Sequence, residues 1–295
     1  MQRVLVAGAT GYLGGFVVRE LKDRGFFVRA LVRSSHRAED LRDIADEVVE
    51  GQVTRPVTLE GVCAGMDVVF SSVGITRQKD RLTFRDVDYQ GNTNLLNAAI
   101  RAGVKKFVYV SAFNGPSLRH LDIVAAHEDF VDELKASGIE YSVLRPTGYF
   151  SDMGEVFEMA KKGRVWLIGD GTNHLNPIHG ADLAAACVGA VEGNETAIDV
   201  GGPAILTWNE VAALAFEALD RPMKVVHVPP WVAWALVRLV RLFSRHQGEL
   251  LAFFTTMSTS EVVAPATGTH TLAAHFRELH HAEVLETSNE VATPC

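Results

Sequence analysis

Arg3-Val4-Leu5-Val6-Ala7-Gly8-Ala9-Thr10-Gly11-Tyr12-Leu13-Gly14 stands almost at the start of the chain. Residues 3–7 are a short Val/Leu run that reads as a buried strand, and residues 12–24 have helical spacing. Between and within these elements lie Gly8, Gly11 and Gly14. Glycine turns tightly, admits backbone amides close to a pyrophosphate, and lets the helix lie near the sheet. Unpaired N–H groups at the helix start add a partial positive charge. The stretch predicts a phosphate-cradling dinucleotide turn made by Gly8, Thr10, Gly11, Tyr12, Leu13 and Gly14.

Outward from that turn, strand-like and helix-like segments alternate. Residues 27–32, 46–50, 68–73, 106–111 and 141–144 are Val-rich strands, and 37–44, 57–63, 84–102 and 122–137 are helical. Gly25, Gly103 and Gly138 each follow a helix, where a left-handed cap is wanted. Strict alternation predicts an α/β fold, a Rossmann-like doubly wound parallel sheet. The core is expected over residues 1–150. Residues 151–295 are expected to form mainly a small, mostly helical C-terminal lobe, with a strand at 197–200 returning to the main sheet. Within that half, residues 147–176 read as loop, and Thr207 with Glu210 forms a capping box. A strand is expected at 224–228, a helix after Pro229-Pro230, and fraying over 282–295.

Composition narrows the classes. A formal net charge of −8 opposes general nucleic-acid binding, which needs a basic footprint. Three cysteines, Cys63, Cys187 and Cys295, lie too far apart for a CxxC pair, which predicts reduced thiols and a cytoplasmic protein. His270, His275, His280 and His281 lack the spacing of a helical metal pair, so no metal is expected.

The second strand ends Leu31-Val32-Arg33 and continues Ser34-Ser35-His36-Arg37. An NAD site usually carries an acidic residue there for the adenosine ribose. Arg33, Ser34 and Arg37 instead suit a 2′-phosphate, so NADP(H) is favoured and NAD(H) stays open.

These residues resemble the atypical short-chain dehydrogenase/reductase superfamily, in its NAD(P)H-binding, NmrA-like branch. The likeness runs over about residues 1–205 by element order. It is carried by GATGYLG, by Asp67–Gly74, by Phe107–Ser111, by Leu144-Arg145-Pro146 and by Pro177–Asp182. It implies that Gln52 and Val53 flank the adenine, where the family more often has aspartate at the first position. It implies further that Val73 and Gly74 line the nicotinamide-side ribose and that Pro146 borders the nicotinamide.

The chain departs from the family at the chemistry. Reductases of this superfamily commonly use Tyr-x-x-x-Lys, with the tyrosine as general acid. No such pair occurs here; counting from Ser111, its positions are Ile123 and His127. Isoleucine transfers no proton. An imidazole can, so His127 is the candidate proton donor and Ser111 the candidate orienting residue. A ribose contact or a solvated helix face are the plainer roles for His127.

Tyr149 and Phe150 are read either as a pocket wall or as ordinary packing. Residues 231–254 are apolar with Arg238, Arg241 and Arg245 interspersed, as in a packed amphipathic helix, a lid, or a peripheral contact with membrane or protein. The leading expectation is an NADPH-dependent reductase of a hydrophobic quinone, enone or aromatic carbonyl. The alternative is a dinucleotide-binding regulator or accessory subunit without turnover, which the resemblance allows through NmrA-like sensors and a subunit of respiratory complex I.

Overall fold

The computed structural model describes residues 1–34, 38–75 and 82–291, with side chains as far as residue 285. Arg37 and Cys295 lie outside the described residues.

The first half is β1 (Arg3–Ala7), α1 (Tyr12–Asp23), β2 (Phe27–Val32), α2 (Glu39–Arg42), β3 (Glu47–Glu50), β4 (Val68–Ser71), α3 (Gln90–Arg101), β5 (Lys106–Val110), α4 (Asp122–Ala136) and β6 (Glu140–Pro146). The second half is α5 (Phe150–Lys161), β7 (Val165–Ile168), β8 (His174–Leu175), α6 (Gly180–Glu192), β9 (Ala197–Val200), β10 (Leu206–Thr207), α7 (Trp208–Ala218), β11 (Val225–Val228), α8 (Pro230–Phe243), α9 (Arg245–Ser258) and α10 (Leu272–Val291).

Seven strands among the described residues form the central sheet, in order β3-β2-β1-β4-β5-β6-β9, all parallel. Each strand needs a crossover to run parallel to the last; helices supply most of them, and the 3₁₀ segment Pro56–Leu59 lies in the one between β3 and β4. One sheet face is sealed by α1 and α6 through Val17, Leu21, Leu183 and Val188. The other is sealed by α3 and α4 through Leu95, Ala99, Phe130 and Leu134. Strand order reverses between β1 and β4, which opens a crevice at their carboxyl ends.

The Rossmann-like reading holds, and β9 does return to the sheet, bringing α6 with it. Several expectations need correction. Residues 147–176 are mostly ordered: α5 buries Phe150, Met153, Val156, Phe157 and Ala160 at helical spacing, and β7 pairs with β11. Residues 57–63 form only a 3₁₀ turn, Pro56–Leu59. The long helix expected from residue 84 begins as a π-helical turn, Arg85–Tyr89. The tail is helical through Val291, where fraying was expected from residue 282.

In the lobe, α5, α7 and α10 share a core in which Phe157 stacks on Phe276. The Thr207–Glu210 box is formed as expected, with Thr207 N–H donating to Glu210 at 2.7 Å and Glu210 N–H to Thr207 at 3.2 Å. α8 and α9 fold into a hairpin whose Val237 and Ala252 pack with Ile75, Phe84 and Ile123, beside the crevice. Among the described residues, no helix is long and apolar enough to cross a membrane.

Candidate nucleotide site

β1 ends at Ala7, and the chain turns at Gly8, whose φ of +85° a side chain would strain. Gly11 N–H closes the turn on the Gly8 carbonyl at 2.8 Å. A Cβ at Gly14 would collide with that same carbonyl, so glycine is what lets α1 lie against the turn. α1 begins without a side-chain cap and without an acidic residue in its first turn. Its leading N–H groups and dipole are thus left for an anion, and a pyrophosphate fits the cradle.

The turn opens on a cleft of about 260 Å³ between the ends of β1, β2, β3 and β4. Gly8, Thr10 and Gly11 form its floor, Arg33 its mouth, Gln52 and Val53 one wall, and Val73 and Gly74 the other. Arg33 is exposed and has no ion-pair partner among the described residues. Val53 is fixed from α3: Asn94 donates to its carbonyl at 2.9 Å, and its side chain fits against Gly91.

Other expected site residues are placed outside the lining. Leu13 is buried in the core, and Pro146 is buried at the end of β6. Tyr12 accepts a hydrogen bond from Gly180 N–H at 3.1 Å, and burial pushes its phenol pKa up. Ser34 is half-buried just beyond Arg33. Phe150 belongs to the lobe core, and Tyr149 packs edge-on against Tyr12.

His127 projects from α4 to the Gly74 end of the cleft, where a Cβ on Gly74 would meet its Cε1 at 3.4 Å. Both ring nitrogens are occupied. Nδ1 lies 2.5 Å from the Tyr109 hydroxyl, and Nε2 lies 3.1 Å from Asp88 Oδ1. Burial holds the Tyr109 phenol well above its ordinary pKa, so it keeps its proton. The assignment that satisfies every partner has Tyr109 O–H donating to Nδ1 and Nε2–H donating to Asp88. Asp88 also accepts from Ile75 N–H at 3.3 Å and 3.4 Å, which ties the relay to the loop after β4. Burial raises the Asp88 carboxyl pKa against the lowering effect of His127.

Ser111 is held elsewhere. Its hydroxyl donates to Glu128 at 2.7 Å, and Glu128 is paired with Arg145 at 2.9 Å in a buried cluster. His127 and Glu128 are adjacent on α4, so their side chains diverge, and Ser111 and His127 enter separate hydrogen-bond networks. Asp88, Asn92 and Tyr109 escaped the sequence reading. Asn92 donates to the Val73 carbonyl at 3.0 Å and accepts from Ser71 at 2.6 Å, which sets the wall of the cleft. Isolated Asp and Asn on a helical stretch look like a solvated face; the one available signal was their place in the helical segment that follows β4.

The comparisons agree with this geometry. The family model described as NAD(P)H-binding matches residues 8–194, and the chain belongs to that family. The Rossmann-like fold is shared with solved NAD(P)-binding reductases. The photosystem II assembly factor Ycf39 of Synechocystis sp. is 31% identical over 251 residues, covering 82% of this chain and 74% of that protein. The chloroplastic divinyl chlorophyllide a 8-vinyl-reductase of Arabidopsis thaliana is 32% identical over 77% of this chain, which spans only 60% of that enzyme. Among solved structures, the NADPH-dependent quinone oxidoreductase QOR2 of Escherichia coli with NADPH superposes at a TM-score of 0.74 and 19% identity, covering 94% of this chain and 99% of that one. The Citrobacter sp. triphenylmethane reductase with NADP(H) gives 0.75 and 20%, with the same coverage. At such identities these two structures establish the fold alone.

Proposed function

We propose that this protein is an NADPH-dependent reductase of apolar, π-conjugated acceptors such as quinones or enones. The observation that carries the reading is the occupied state of His127 beside the Gly74 end of the cleft. A reduced nicotinamide bound there supplies a hydride. Gly8, Gly11 and the start of α1 would hold the pyrophosphate, with Arg33 at a 2′-phosphate.

The acceptor class follows from the missing acid. Hydride addition to an isolated carbonyl makes a strongly basic alkoxide, which needs a proton as it forms. Addition to a quinone or an enone makes a delocalised oxyanion, which water protonates afterwards. Ile123 stands where the usual tyrosine would, and His127 has no free N–H. Such a site suits the second kind of acceptor. Ile75, Leu82 and Val87 line the same end, so the surroundings are apolar. The likeness to a divinyl chlorophyllide a 8-vinyl-reductase supports a reductase reading without naming the substrate.

Stopped-flow oxidation of NADPH against a panel of benzoquinones, naphthoquinones, enones and simple ketones tests it. Turnover confined to conjugated acceptors is the expected result. Failure with every conjugated acceptor, or efficient turnover of a simple ketone, defeats the reading.

A second reading has its own support. The assembly factor Ycf39 is matched over more of its length than the vinyl-reductase, and α8 carries an uncovered apolar face. A cofactor-binding accessory protein would bind NADPH tightly, leave it unconsumed with all acceptors, and copurify with a partner.

A further inference from the structure

α8 has two unlike faces. Ala233 and Val237 are buried against the rest of the protein, at 4% and 0% exposure. Gly248 lets α9 pass close to α8, since a Cβ there would strike Arg241. At 3.6 residues per turn, Trp231, Val232, Leu236, Leu239, Leu242 and Phe243 fall on one outward arc of about 140°. That arc is open: Trp231 is 73% exposed, Leu242 80% and Phe243 85%. An arc of large apolar side chains presented to solvent marks a contact surface.

Charge indicates what covers it. Residues 221–248 contain Arg221, Lys224, Arg238, Arg241 and Arg245 and no aspartate or glutamate, in a chain of net charge −8 with 36 acidic residues. Arg238 lies at the margin of the apolar arc and has no partner among the described residues. Arg241 and Arg245 flank the inner side, paired with Glu249 and Asp122. An apolar stripe with an unpaired arginine at its margin, a tryptophan at one end and no acidic residue in the surrounding segment is the pattern of a helix lying in a lipid interface. Pairing the arc with a second copy of itself would bring two cationic margins together, which disfavours a symmetric dimer.

We propose that α8 docks in the plane of an anionic phospholipid bilayer, its outward side chains in the acyl boundary and its basic border at the headgroups. This docking is independent of whether the protein turns over a substrate.

The test uses the full chain with vesicles of phosphatidylcholine alone and of phosphatidylcholine with phosphatidylglycerol. Cosedimentation with the anionic vesicles, weakened by salt and accompanied by a blue shift of tryptophan emission, is expected. Leu242→Ser with Phe243→Ser should abolish it, and Arg238→Glu should weaken it on the order of tenfold on anionic vesicles. NADPH binding, measured on each variant, verifies that the fold persists. Absence of binding to anionic vesicles overturns the proposal. So does a dimer in solution that the double variant splits, which would give this face to a second copy. Equal binding to both vesicle types overturns the electrostatic half of the proposal.

Discussion

Nε2 of His127 lies 3.1 Å from Oδ1 of Asp88, a carboxylate with no solvent exposure. The contact joins α4 to the loop that ends the cofactor cleft, because Asp88 also accepts from Ile75 N–H. It fixes the imidazole tautomer through one nitrogen while Tyr109 occupies the other. Geometry of this kind orients a ring, and it leaves no proton facing the cleft.

Asp88 makes the protein's stability depend on pH in a stated direction. Burial raises its carboxyl pKa above the ordinary value. An acid whose folded pKa is raised favours the fold below its unfolded value, and that contribution is lost as pH rises through the folded one. Asp88→Asn keeps an oxygen for His127 and Ile75 and removes the titration. The melting temperature of the variant relative to the natural chain should therefore climb as pH rises from about 4. Thermal melts across a pH series check it; a difference that stays flat or falls refutes the burial argument.

Arg33 is expected to select the phosphorylated cofactor. It stands at the mouth of the cleft without an ion-pair partner among the described residues, so its removal leaves no buried group unsatisfied. A charge-assisted pair with phosphate is worth about 1.5–3 kcal/mol. Arg33→Ala should weaken NADPH binding on the order of ten- to a hundredfold and leave NADH affinity nearly unchanged. Calorimetric titration with both cofactors decides, and equal losses for the two would deny Arg33 this role.

Where one signal dominates, the sequence was legible. The glycine turn and the Val-rich strands of the central sheet rest on local residue choice, and each was read from its own few residues. α5 was hidden because Gly148, Gly154 and Gly163 interrupt it or border it, so its stripe of Phe150, Met153, Val156 and Phe157 did not stand out. α10 lacks a single apolar stripe and owes its order to packing of Leu272 and Phe276 against α5 and α7. The Asp88–His127–Tyr109 relay joins the turn before α3, α4 and β5, and no spacing rule links positions so far apart. His127 was found by its alignment with a family position; its partners needed three dimensions.

Gly14 is the position where the turn tolerates least. Its neighbours are the Gly8 carbonyl and the Ala9 backbone, which cannot rotate aside as a side chain can. Gly14→Ala should push α1 off β1, costing about 1–3 kcal/mol of overpacking and removing measurable NADPH binding. Gly15, one residue on, has no such neighbour closer than 3.7 Å, and Gly15→Ala should leave both properties intact. Parallel melts and cofactor titrations of the two variants separate a steric requirement from a general effect of alanine in the first turn.

Proton inventory gives the sharpest test of what His127 does. If the imidazole only positions the loop at Gly74, the hydride step to a quinone involves no enzyme acid. Its rate should then be flat across neutral pH and nearly the same in heavy water. His127→Ala would leave the Tyr109 hydroxyl and the Asp88 carboxylate without their partner, at a cost of about 1–3 kcal/mol in stability. Loss of the ring should raise KM for NADPH, through a looser Gly74 wall, while the pH profile of kcat keeps its shape. A pH-dependent rate with a solvent isotope effect, both abolished in the variant, would return His127 to the role of general acid. Single-turnover kinetics at several pH values distinguish these outcomes, because they isolate the hydride step from cofactor release.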